Sequence, residues 1–234
     1  MSGVIPLRAQ PRPVLALGAL IGLAHLVRGL LPIDAQVALF NRFALISGGF
    51  DRPGSDNISA LGAAEPWLGH IFLHGGPDSA WTLGLIHVLF NLIIYFQAAP
   101  FVYLRLARAG TGALGRFLAI FLASGLGGAA LFLMVNADVE KAAVGASGAM
   151  CGVFAAYLLS ARADWREALA DRSVRQSGLV FVGINVVLAA IVTQFGLLPV
   201  GIAWEAHLGG FLAGAAAFIL VGPRADRNDE QASL

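Results

Sequence analysis

The stretch VGASGAM, Val144 to Met150, leads into an apolar run that stops at Arg162. A membrane-like segment that opens on Gly-Ala-Ser-Gly is unusual. The glycines loosen the backbone, and a hydroxyl stands where hydrocarbon is expected. The rest of the chain sharpens the contrast. Of 234 residues, 58 % are hydrophobic and only 12 % are charged, far from the soluble mixture. The apolar residues gather into runs of about 20, enough for a helix to cross a hydrocarbon core of roughly 30 Å. They do not alternate with polar residues as the strands of a barrel would. The expected class is an all-α polytopic membrane protein.

Six membrane segments are predicted, at about residues 13–32, 81–104, 112–136, 147–161, 177–196 and 203–221. The domain plan is a tail over 1–12, a six-helix membrane domain over 13–221 and a tail over 222–234. A large first loop, about 33–80, interrupts it. That loop is too long to be structureless in a compact domain, and AQVALFNRFALI within it is weakly amphipathic. It is read as partly helical and interfacial. The first apolar run follows Arg8 and Arg12 without a cleavage site leading into a polar region, so it is read as a retained helix. With the N-terminus inside, eleven of the fifteen basic residues fall on the inner side. The positive-inside bias therefore puts both termini in the cytoplasm, and the expected setting is a bacterial inner (plasma) membrane. A net charge of +1 argues against nucleic acid as a partner, and the single cysteine, Cys151, excludes an intramolecular disulfide.

Polar groups inside membrane helices are costly and point to function. His87 and Asn91 lie in HVLFN early in the second segment, Ser147 opens the fourth, and His207 lies in AHLGGFLAG early in the sixth. All three segments run from outside to inside, so these residues fall toward one outer face. His87 would lie about 9 Å down its helix and His207 about 6 Å down. The fourth segment spans only about 22 Å and falls about 8 Å short of the core, so Ser147 starts below the outer surface. The irregular backbone before it must be buried in protein or line a wet cavity, and the serine is read as capping its helix. Gly148 with Gly152, and Gly210 with Gly214, form GxxxG pairs that would let the two helices approach closely.

A serine becomes a nucleophile when a base takes its proton, and His207 can be that base. His87 and Asn91, at i and i+4 on one face, together with the Ser147 backbone N–H, could hold an oxyanion. Glu205 is two positions from His207 and does not share its face, so the pattern reads as a Ser–His dyad. Cys151 in apolar surroundings would stay protonated. His25 and His70 are read as interfacial and His74 as structural. No HExxH or comparable pair suggests a metal, and no cofactor is expected.

GASG, HVLFN and AHLGGFLAG, in this order and on these segments, resemble the rhomboid family of intramembrane serine proteases. FLHGG, with His74, resembles the family's run before the second helix. The resemblance covers roughly residues 70–221. It implies Ser147 as nucleophile, His207 as general base, and His87 and Asn91 as oxyanion stabilisers. It also implies single-span membrane proteins as substrates and the lipid bilayer as the surroundings. The oligomeric state is left open. Cys151 stands where the family commonly has an aromatic, so Trp204 or a neighbouring phenylalanine is expected beside His207. GPDSAWTLG lengthens the gap from His74 to His87, and a Trp-Arg dipeptide in the first loop is absent. LLPVG, Leu197 to Gly201, is expected to cap the site, with the fifth helix moving sideways. Two other readings are a catalytically silent rhomboid-like client binder, which should lack Ser147 or His207, and a transporter, which should show internal repeats.

Overall fold

The computed structural model describes residues 5–48, 64–195 and 202–223. The LLPVG link, the middle of the first loop and the ends of both tails lie outside the described residues. Among the described residues, five helices are long and apolar enough to cross a membrane. They are α1 (Arg12–Leu30), α4 (Leu85–Arg108), α5 (Ala113–Val135), α8 (Arg172–Gln194) and α9 (Trp204–Val221). The apolar α6 (Ser147–Leu159) has 13 residues. The fold is an all-α polytopic membrane bundle.

Local chemistry sets the helix ends. A proline sits in the first turn of α1, where the missing N–H costs nothing. A single π turn, Ala80–Gly84, leads into α4. The helix expected from about residue 177 begins at Arg172, because Asp171 caps it: its Oδ1 accepts from the Ser173 N–H at 2.7 Å and the Val174 N–H at 3.2 Å. Arg162 pairs with the same carboxylate. Hydropathy marks where a helix turns apolar, whereas the cap fixes where it starts. A short α7 (Trp165–Ala170), capped by Asp164, fills the connection before it.

The first loop is largely built. It holds α2 (Ile33–Phe43), with Gln36 buried, and α3 (Glu65–Gly69). A two-residue strand β1 (Leu45–Ile46) pairs antiparallel with β2 (Ala142–Ala143), in the register Leu45 with Ala143 and Ile46 with Ala142. The pair ties the first loop to the segment approaching Ser147.

The core is centred on α6. Gly148, Ala149, Met150, Cys151, Gly152, Val153, Ala155, Ala156 and Leu159 are all buried, with α4, α5 and α9 packed around them. The two expected GxxxG pairs face each other. A Cβ at Gly152 would stand 2.5 Å from the Gly210 carbonyl oxygen, and one at Gly214 the same distance from that of Gly152. A Cβ on Gly128 of α5 would stand 2.6 Å from the Ala206 carbonyl oxygen. Three helices thus meet backbone to backbone, which only small residues permit.

Two outcomes follow from this packing. Gly210→Val should lower stability by about 1–3 kcal/mol through overpacking. Gly183→Ala should lose nothing, because its Cβ meets no atom within 4 Å; reversible unfolding in detergent micelles compares the two. Asp171→Ala should fray the start of α8, read by amide exchange at Ser173 and Val174. The hydrogen bonds from Ser173, Val174 and Arg162 hold the Asp171 carboxyl below its ordinary value, so its contribution is present at neutral pH. That contribution should be complete above the ordinary carboxylate range, decline as pH falls through that range, and be gone once pH passes below the depressed value.

Candidate active site

The turn before α6 decides the geometry. Gly145 has φ +113°, in the left-handed region that side chains avoid, and its N–H donates to the His70 carbonyl at 2.8 Å. A Cβ there would stand 2.5 Å from His87 Cε1 and 3.6 Å from Asn91 Nδ2. Glycine therefore lets both α4 side chains close over the turn. The Ala146 N–H donates to His74 Nε2 at 3.3 Å. The helix then begins at Ser147, with Ala146 in the cap position and no side-chain cap. The expected cap by Ser147 is not made, because its hydroxyl is engaged elsewhere. Its Oγ lies 2.9 Å from His207 Nε2. The N–H groups of the first turn of α6 have no partner within the helix and lie beside this hydroxyl.

His87 and Asn91 both reach the Gly145 turn. Asn91 is buried, and its Nδ2 has no partner among the described residues, so a donor is held ready beside the serine turn. The His87 ring meets His74 edge-on at 5.1 Å between centroids. His74 is fully buried. His25 and His70, expected at the interface, are buried as well. His70 Nδ1 engages the Pro66 carbonyl at 2.7 Å, and His25 lies edge-on to His74 and to Trp81, at 6.0 and 6.4 Å. Spacing along the chain could not reveal these contacts, since they join α1, the first loop and the start of α4.

The same region explains how the long GPDSAWTLG segment fits. Arg28, buried at the end of α1, donates to the His74 carbonyl at 2.9 Å and to the Gly76 carbonyl at 2.5 Å. Trp81 Nε1 donates to the Gly29 carbonyl at 2.7 Å, and the Gly76 N–H donates to Ser79 Oγ at 2.7 Å. The extra residues curl back onto α1 and leave His74 under the serine turn.

Glu205 points away from His207. It is buried and accepts from Asn136 Nδ2 at 3.2 Å, with Lys141 Nζ at 3.9 Å. The second ring nitrogen of His207 meets a residue that sequence reasoning missed. His207 Nδ1 lies 2.8 Å from Asn185 Oδ1 on α8. A signal existed, for Asn185 is the lone polar side chain between Gly178 and Val192. Cys151 is buried, and aromatic surface near His207 comes instead from Trp204, Phe181 and Phe211, which line a small pocket with it. Among the described residues, no group of three or more His, Cys, Asp and Glu is arranged to hold a metal ion.

The Gly145 turn gives a direct check. Gly145→Ala should push the His87 ring and the serine turn apart. A displacement of about 1 Å can cost around 10²-fold in reactivity. The labelling rate of Ser147 by a serine-directed covalent probe, measured beside thermal stability, reads that loss.

Comparison with known proteins agrees with this architecture. A family model described as the Rhomboid domain matches residues 65–224. The RHOMBOID-like protein 5 of Arabidopsis thaliana is 28 % identical over 153 residues, which cover 64 % of this chain. The match spans only 42 % of the length of that curated relative. The family match takes in α3 to α9, and with them the serine turn, both α4 side chains and His207. The chain belongs to the rhomboid family.

Proposed function

We propose that the chain is an intramembrane serine endopeptidase that hydrolyses peptide bonds in or near the spans of membrane proteins. The observation that carries this reading is the 2.9 Å contact of Ser147 Oγ with His207 Nε2 at the first turn of α6. In the proposed reaction His207 takes the hydroxyl proton as Oγ bonds to the scissile carbonyl carbon. The oxyanion that forms is held by Asn91, by His87 and by the Ser147 N–H. As the C–N bond breaks, His207 returns the proton to the departing amine. A water then repeats the sequence against the acyl ester and frees Ser147. Cys151 has no part in this chemistry.

Single-span membrane proteins are the proposed substrates, met within the bilayer. The skew of arginines toward one side supports cytoplasmic termini, and a bacterial inner membrane is the proposed setting. A partly unwound substrate span suits a site whose own helix starts within the membrane, since irregular backbone is stable there only when protein or water satisfies it.

The test measures binding and cleavage together on a reconstituted single-span substrate. Ser147→Ala and His207→Ala should abolish cleavage, and Asn91→Ala should lower the rate by about 10²–10³-fold. Binding should survive in all three, because none of these groups supplies the main apolar contact. A protein that binds such clients but cuts none, with Ser147→Ala changing nothing, would be a silent binder instead.

A further inference from the structure

A neutral imidazole has one proton for two nitrogens, and the other nitrogen can only accept. For His207 to take the Ser147 proton, as proposed above and assumed here, that proton must sit on Nδ1. Nδ1 lies 2.8 Å from Asn185 Oδ1. The Asn185 amide is itself fixed, because its Nδ2 donates to the Phe181 carbonyl at 2.8 Å, one turn back on α8. An amide whose NH₂ is committed to a carbonyl presents its oxygen to the other side. An oxygen facing Nδ1 requires Nδ1–H, which leaves the Nε2 lone pair aimed at Ser147.

We infer that Asn185 is the positioning residue of this site: from α8 it sets the tautomer and the ring orientation of His207. Its amide is uncharged, so it acts by orientation and not by stabilising imidazolium with a full charge. The hold is made by a lightly packed helix. Only 11 % of the most apolar stretch of α8 is buried, against 33 to 44 % in the other four long helices. Close to Asn185, α8 is keyed to the core by Phe181. Its ring lies 4.5 Å from that of Phe154 on α6 and stacks on Phe211 of α9 at 5.5 Å and 22°. The alignment of the base therefore depends on α8 staying against α6 and α9. A shift of α8 by more than a hydrogen-bond length frees the ring to turn.

The experiment uses the full chain in lipid nanodiscs with ¹⁵N-labelled histidine. Assignment of His207 by His207→Gln should give an Nδ1–H tautomer in the unmodified protein, and a mixture with Nε2–H in Asn185→Leu. In cleavage of the single-span substrate, Asn185→Leu should lower kcat by about 10–100-fold, as loss of an orienting partner does elsewhere, with KM unchanged. Asn185→Asp keeps an acceptor oxygen and should recover most of the rate. An Nε2–H tautomer in the unmodified protein overturns the inference. So does an Asn185→Leu protein with unchanged kcat and tautomer, or an Asn185→Asp protein as slow as Asn185→Leu. If Asn185→Leu does not fold, the tautomer of the unmodified protein and the rate of Asn185→Asp decide. If no substrate is cut at all, the protease reading fails, while the tautomer measurement still judges Asn185.

Discussion

Backbone contact between α6 and α9 is the constraint on which the rest of the molecule depends. Gly210 packs on the backbone of Gly148 and Gly214 on that of Gly152, with no room for a Cβ at Gly152, Gly210 or Gly214. In lipid, burying apolar surface gives helices little reason to associate, so close van der Waals fit and polar contacts must hold them. This fit sets the distance between the helix axes, and that distance sets the reach from Ser147 to His207. Leucines in the same seam would separate the axes by several ångströms and leave two unrelated polar side chains. The small residues of α6 are thus a condition of the Ser147–His207 contact as much as of the fold.

A second constraint is the cost of irregular backbone buried inside an apolar bundle. The segment from Gly145 to Ser147 is not helical until its last residue, and each peptide group in it needs a partner. The partners come from distant parts of the chain. The His70 carbonyl takes the Gly145 N–H and His74 takes that of Ala146, while β1 pairs with β2 just upstream. His74 in turn rests on Arg28 of α1. A buried arginine whose partners among the described residues are the His74 and Gly76 carbonyls is costly to desolvate, and it persists because those carbonyls would otherwise be orphaned. The first loop, which hydropathy describes poorly, is in this sense the scaffold of the serine turn.

What could be read from the sequence divides along the same physical lines. Apolar length located the helices, since transfer into lipid depends on the side chains of one segment at a time. The shortness of α6, its GxxxG seam and the face shared by His87 and Asn91 were legible for the same reason, each being a periodicity within one helix. The start of α8 was misjudged because Asp171 caps a polar turn that hydropathy treats as loop. His25 and His70 were assigned to the interface because their partners lie on other elements. Asn185 is not legible in the same way, because it is uncharged and has no polar neighbour at helical spacing on α8 to mark a face. Its partner is 22 residues away on the neighbouring helix.

The central position of α6 also bears on how the protein is made. Thirteen residues are too few to settle across a bilayer as an independent span, and nearly every face of α6 is covered by α4, α5 or α9. Of these, α9 is translated last, and it carries His207. A nascent chain that has emerged only as far as α8 holds the serine but has neither the histidine nor the glycine face that seats it. The order of synthesis therefore keeps Ser147 without its His207 contact until α9 joins the bundle.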